Sequence, residues 1–429
     1  METNRIKSIL AISWSMPPFL SARSIQVSRT LRALARLGWD ITLLTVEPIQ
    51  GMEFSNENKL NALAKQPFRQ IQIAIPERFF LYRSMHYLLP KAIWLPDHTR
   101  GWIRRAVAAG IKAFTNKPFD AIVSFAQPMS DHVVGRDIHR ITGVPWIAHF
   151  SDPWVDSPFY RSANRWHDKK MREYERDFIT EASTIIFTSD QTMDRVMLKY
   201  PPKLREKAFV IPHGFVTDEP IPTLENSGNN RMQIVHTGRF YNFKRTPEPI
   251  LLALSFLKRH KQLPSSLEIH LIGAMPRRFQ RMIDDCYLSN TVFYHGQLDY
   301  FQTKAFVHNA DVLLLVDAPS KEPSLFLPSK LIDYLPAEKP ILGITPQQGA
   351  SADLLRRLDC PIIPPDDHFA IAATLLDMHS HWMLGTLNLS PQFRDVAREY
   401  HIDNTTQKFA ELLESYTPQY QEEFEYIHH

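Results

Sequence analysis

The chain has 429 residues, 44% of them hydrophobic and 22% charged, and a formal net charge of +3. That length exceeds one compact core and predicts two or three domains, and the composition is that of a globular protein. No apolar run reaches the ~18 residues a membrane-spanning helix needs. Cys286 and Cys360 are the only cysteines, too few for a disulfide framework or a cysteine-based zinc site.

Met1 to Lys7 leads straight into an apolar strand pattern rather than a secretory leader, so a reducing, cytoplasmic setting is expected. In the first half, strands are predicted at Ile6–Ile12, Ile41–Val46, Ile71–Ile75, Ala121–Phe125, Trp146–Phe150, Thr184–Thr188 and Phe209–Ile211. Around the third lies a basic stretch. Lys65 to Lys117 holds ten Lys/Arg and two acids, Glu77 and Asp97. Phe79, Phe80, Leu81, Tyr82, Tyr87, Leu88, Leu89 and Trp94 interleave with them. The stretch reads either as a face for an anionic membrane or lipid-linked substrate, or as a solvated surface over ordinary core residues. No nucleic-acid-binding motif accompanies the charge, so nucleic acid is not an expected partner.

Asp218–Arg231, with its Pro, Asn, Ser and Gly residues, reads as a linker. Beyond it, strands are predicted at Gln233–Thr237, Leu267–Ile272, Val292–Tyr294, Val312–Val316 and Ile341–Ile344. Runs of Ile, Val and Leu separated by helical patterns indicate parallel sheets buried on both faces. The cycle occurs twice, which predicts an α/β protein with two Rossmann-like doubly wound domains. The expected division is 1–218, 231–395 and a C-terminal helical segment, 396–429. Within that segment Phe409, Leu412, Leu413 and Tyr416 have helical spacing, with Asn404 as the expected cap.

Ligands of doubly wound sheets sit beyond the carboxyl ends of strands. After the strand ending at Thr237 come Gly238, Arg239, Lys244 and Arg245. Glycine lets a ligand approach the backbone, and arginine grips phosphate oxygens in a fork. Pro328-Ser329-Lys330 opens a predicted helix with Ser329 as its cap, and a helix start favours phosphate. Asp333, one turn on, is placed to accept hydrogen bonds from ribose. The bland alternatives are a solvated basic loop and an ordinary capped helix. Asp152 follows the strand Trp146–Phe150. It either orients or deprotonates an acceptor hydroxyl, or caps the turn before Pro153. Trp154 either stacks on a sugar or packs. His132, His149, His213 and His236 lie near strand ends, where histidines are more often structural. No His-x-x-x-His or Asp-x-Asp pair stands at metal-ligand spacing in a loop at the strand ends. No metal or other cofactor is expected.

At this point the chain resembles the GT-B glycosyltransferases, in particular the retaining group called family 4. The resemblance rests on Gly238-Arg239 with Lys244, on Pro328-Ser329-Lys330-Leu331-Ile332-Asp333-Tyr334 and on Glu338-Lys339-Pro340-Ile341. In the first half it rests on Pro17-Pro18, Leu34–Thr45, Gly143–Ile147, Ser151–Trp154 and Ile211–Phe215. It implies two Rossmann-like domains facing a cleft, with the last helix packing back on the first domain. The implied donor site is Gly238, Arg239, Lys244, Arg245, Ser329, Lys330 and Asp333. The implied acceptor side is Ser151, Asp152 and Trp154, with Asp152, Arg239 and Lys244 closest to the chemistry.

Three positions depart from the family pattern. Leu325 stands where a glutamate is common, eight residues before Asp333. Ser21 and Ala22 replace a glycine pair, and Ser151 stands where many members have histidine. The resemblance implies transfer of a sugar from a nucleotide-sugar to a saccharide or lipid-linked acceptor, with retention and without metal. The implied setting is surface polysaccharide or lipopolysaccharide assembly, on the inner face of a membrane. The rivals are a nucleotide-sugar 2-epimerase on the same fold and a non-catalytic nucleotide-sugar-binding scaffold.

Overall fold

The computed structural model describes residues 7–19, 21–48, 66–75, 94–222, 230–320 and 322–416. The chain divides into two compact units, Met1–Gly214 with Ile402–His429, and Phe215–His401.

The first unit is built on β1 (Ser8–Ile12), β2 (Asp40–Val46), β3 (Arg69–Ile73), β4 (Ala121–Phe125), β5 (Trp146–Phe150), β6 (Thr184–Phe187) and β7 (Ala208–Val210). They form one seven-stranded sheet in the order β3-β2-β1-β4-β5-β6-β7. Every pairing is parallel. Strand alternation places Leu10 and Ile12 in one apolar layer and Ile9 and Ala11 in the other. Both faces are therefore buried, as parallel sheets require. Chain order reverses between β1 and β4, the switch point of the sheet.

The helix Ala22–Arg36 follows β1. Ser21 caps it in a reciprocal box with Ser24, which satisfies two otherwise orphaned backbone donors. Val27, Leu31 and Leu34 face the sheet, and the helix Ile402–Glu414 adds Phe409, Ala410 and Leu413 to the same layer. Arg36 and Asp403 pair at 3.1 Å across the two helices. Gly214 fits closely beneath: a Cβ there would come within 2.6 Å of the Ile402 Cα. The final helix begins at Ile402 because its buried face begins there. Asn404 is therefore inside the helix, not its cap.

The second unit is built on β8 (Met232–Thr237), β9 (Leu267–Ile272), β10 (Val292–Gly296), β11 (Val312–Val316), β12 (Ile341–Ile344) and β13 (Ile362–Ile363). The order is β10-β9-β8-β11-β12-β13, parallel throughout. In β11, Val312, Leu314 and Val316 enter one layer and Leu313 and Leu315 the other. The switch point lies between β8 and β11.

All twelve predicted strands are present, with ends within two residues. β13 was not predicted, since two residues between Pro361 and Pro364 show no period. The Pro- and Asn-rich stretch lies past the Gly214–Phe215 division, and its residues 223–229 fall outside those described. So do residues 76–93, which carry most of the aromatic part of the basic stretch.

Candidate active site

In the second unit, three polar or charged groups gather where β8 and β11 end. β8 leads into Gly238, whose φ of +127° is a conformation that side chains disfavour. Its N–H donates to the Ile272 carbonyl at 2.7 Å. On one side it abuts Gly273, itself at φ +121°. On the other, the Lys330 ammonium occupies the space a Gly238 side chain would need. The absent side chain is thus what admits the lysine.

The loop after Gly238 folds back through a Tyr241 N–H to Arg245 carbonyl bond of 2.7 Å. This returns Arg245 to β11, where its Nη2 meets Asp317 Oδ1 at 3.1 Å. Asp317 is buried. Its second oxygen accepts from Thr345 Oγ1 at 3.2 Å and Ser351 Oγ at 2.6 Å. Arg245 Nε is buried without a partner. The guanidinium is therefore anchored on one edge and has a donor to spare.

Burial, and then the neighbouring Arg245 charge, lower the Lys330 ammonium to about 7, while Asp317 and Asp333 oppose the shift. His236 is buried, donates from Nδ1 to the Leu314 carbonyl at 2.9 Å, and stacks on Phe240 at 4.4 Å. Burial and then Lys330 hold its ring well below the usual range, so it is neutral. Tyr334 OH accepts from the Thr237 N–H at 3.0 Å and donates to the Leu314 carbonyl at 3.3 Å, which ties the helix Ser329–Tyr334 to both strands.

Of the residues singled out in the sequence, the fold brings together Gly238, Arg245 and Lys330. Asp333 is exposed and acts on Lys330 through space. Arg239 and Lys244 stand exposed on the loop between them. Ser329 is the first residue of its helix and not the cap. Pro328 holds that place, and no side chain caps the end. Leu325 is buried and apolar. Asp317 was missed, and the signal for it is a carboxylate directly after a strand.

A second cluster lies at the carboxyl ends of β1, β4 and β5 in the first unit. Ser151 Oγ donates to the Ala126 carbonyl at 3.2 Å, and Ser151's own carbonyl accepts from Thr188 Oγ1 at 2.9 Å. This fixes the turn carrying Asp152. Burial raises the Asp152 carboxyl while Arg23 pulls it down. Trp154 is buried and stacks on Phe178 at 5.9 Å.

Two groups missed in the sequence, Arg23 and Asp131, lie at the same strand-end edge, and Arg23 acts on Asp152 through space. Arg23 donates to the His149 carbonyl and ring Nδ1, both at 3.2 Å. Asp131 is fully buried and accepts from the Trp14 N–H at 2.9 Å. Burial raises its carboxyl well above the usual value. His132 bonds Ser124 Oγ at 2.8 Å, and burial lowers it to about 3. His149 stacks on His213 at 6.0 Å. Burial first, then Arg23, lower both, His213 to about 3. The histidines are neutral at physiological pH.

Residues 24–214 match the family model described as a glycosyl transferase 4-like domain. The match lies within the first unit. A search of curated proteins finds no match.

Solved structures match along nearly the whole chain. A sucrose-phosphate synthase from Thermosynechococcus elongatus is 16% identical, with a TM-score of 0.69, covering 95% of this chain and 98% of that one. The lipopolysaccharide outer core galactosyltransferase WaaB, in its apo form, is 12% identical, with a TM-score of 0.59 and coverage of 95% and 99%. A putative UDP-N-acetylglucosamine 2-epimerase from Listeria monocytogenes is 11% identical, with a TM-score of 0.55 and coverage of 97% of both chains. At these identities the likeness establishes the fold, which is the GT-B glycosyltransferase fold with two Rossmann-like units.

Proposed function

We propose that the chain is a glycosyltransferase that moves a sugar from a nucleotide-sugar to an acceptor hydroxyl with retention at the anomeric carbon. The observation that carries this reading is the Gly238–Lys330–Arg245–Asp317 cluster at the switch point of the second unit, in a chain whose first unit matches a glycosyl transferase 4-like domain.

The chemical demand is departure of a nucleoside diphosphate. Arg245, and Lys330 when protonated, set positive charge against the growing negative charge on the leaving oxygen, in a partly desolvated place where charge interactions are strong. Asp317 orients Arg245 and leaves its Nε–H to donate. Gly238 presents bare backbone to the diphosphate, Arg239 and Lys244 reach it from the exposed loop, and Ser329 lies beside Lys330. Asp333 takes the ribose hydroxyls. These cations perform the charge neutralisation for which other transferases use a metal.

On the acceptor side, Asp152 and Ser151 orient the attacking hydroxyl. The leaving phosphate oxygen takes its proton as the new glycosidic bond forms on the face the phosphate leaves. The acceptor is a saccharide or lipid-linked saccharide of surface polysaccharide or lipopolysaccharide assembly. The working place is the cytoplasm or the inner face of a membrane.

The test is incubation with UDP-glucose, UDP-N-acetylglucosamine and GDP-mannose without acceptor, followed by proton NMR. The expected result is slow hydrolysis of one donor, releasing the α-anomer first and leaving C2 unchanged. Inversion at C2 would establish the epimerase reading, and release of the β-anomer first would overturn retention. No turnover of any donor would favour a scaffold.

A further inference from the structure

The transferase reading leaves Arg23 unused. It lies in the first turn of the helix Ala22–Arg36, beside the end of β1. Its bonds are those to His149 described above, with the guanidinium 5.6 Å from the Phe125 ring. Its Nε–H is buried and has no partner. It forms no ion pair among the described residues: Asp152 and Asp131 act on it only through space.

Among the described residues no carboxylate pairs with it at ion-pair distance, and Asp152 is the carboxyl that acts on it most through space. His132, His149 and His213 are neutral, and burial favours the neutral acid at Asp131. Burial also lowers the Arg23 guanidinium to about 10, so it stays charged at physiological pH. A desolvated guanidinium that no carboxylate contacts, and with a spare Nε–H donor, has room for an anion. Its planar fork fits two oxygens of a phosphate or carboxylate. It stands on the same strand-end edge as Asp152, the residue assigned to the acceptor.

We infer that Arg23 anchors an anion subsite in the first unit and that the acceptor bound there carries a phosphate or a carboxylate. This rests on the transferase reading for the word acceptor alone. The anion site stands on Arg23, its bonds to His149 and its unpartnered Nε–H themselves.

The test is calorimetry on the full chain with inorganic phosphate, glucose 6-phosphate, glucuronate and glucose. It is repeated in Lys330→Met, which removes phosphate binding at the second unit, and in Arg23→Gln and Arg23→Lys. An anionic sugar is expected to bind the wild type and Lys330→Met alike, and glucose not at all. Arg23→Gln is expected to weaken that binding at least tenfold and Arg23→Lys less. Preference for glucose 6-phosphate or for glucuronate separates the two anions. Without ligand, Arg23→Gln is expected to melt no lower than the wild type, because it removes a buried charge that no carboxylate contacts.

Equal binding by Arg23→Gln, anionic sugars bound no better than glucose, or binding lost only in Lys330→Met would each overturn the inference. So would a lower melting temperature of Arg23→Gln with unchanged affinity, which marks Arg23 as a support for His149. UDP and GDP titrated alongside separate the two claims. Nucleotide binding without anionic-sugar binding refutes the subsite alone. The converse upholds the subsite and refutes the donor site.

Discussion

Lys330 is the residue on which stability and binding pull in opposite directions. Its folded value of about 7 lies below the ordinary 10.5. Between those values the unfolded chain binds more protons, so the native state gains stability as pH rises through that window. Below pH 7 the penalty of the buried ammonium is present in full. Lys330→Met is therefore expected to melt higher than the wild type at pH 6–7, with the difference vanishing towards pH 10.5. The same variant is expected to bind nucleoside diphosphate at least tenfold more weakly at pH 7. Wild-type affinity should fall between pH 7 and 9, by no more than about tenfold per unit. Calorimetry and thermal melts over that range check both. A variant that melts lower at pH 6, with unchanged affinity, would make Lys330 a structural residue. Gly238, Arg245 and Lys330 are legible in the sequence because each follows a strand or opens a helix. Asp317 also follows a strand, but its role, like that of Arg23, comes from a partner far along the chain, 72 and 126 positions away respectively.

At the scale of elements, strands are easier to read than helix ends. The central strands are short Ile/Val/Leu runs between polar turns, and burial on both faces leaves the chain little freedom there. Helix starts depend on backbone geometry that side-chain preference does not determine. Ser329 has a capping side chain, yet Pro328 adopts the extended cap conformation and its carbonyl takes the Leu331 N–H at 3.0 Å. At the final helix, the buried face decides: Ile402 anchors the first turn, and Asn404 lies within it. That helix belongs to the core of the first unit. Phe409 is 1% exposed and meets Phe125 edge-on at 6.4 Å. Phe409→Ala is expected to cost about 3–5 kcal/mol, read by urea unfolding of the full chain. A cost under about 1 kcal/mol would mean the helix adds little to that core.

At the scale of the whole molecule, the order of motifs along the chain is more informative than any one of them. Each is a short loop pattern with an ordinary explanation. Two strand–helix cycles, cations after the first strand of the second cycle and a second basic loop after its fourth strand narrow the reading to one fold. The structure adds how the chemistry is divided. Cations with a buried carboxylate gather in the second unit. In the first, the Arg23 guanidinium lies near carboxyls raised by burial. The central claim is that the second unit holds a nucleoside diphosphate. Calorimetric titration of the full chain with UDP, GDP, ADP, TDP and CMP tests it most directly, alongside Arg245→Ala and Arg23→Gln. The account predicts that one diphosphate binds in preference to the others, that Arg245→Ala weakens it at least tenfold, and that Arg23→Gln leaves it unchanged. Binding of none of the five, or equal binding by Arg245→Ala, would contradict it.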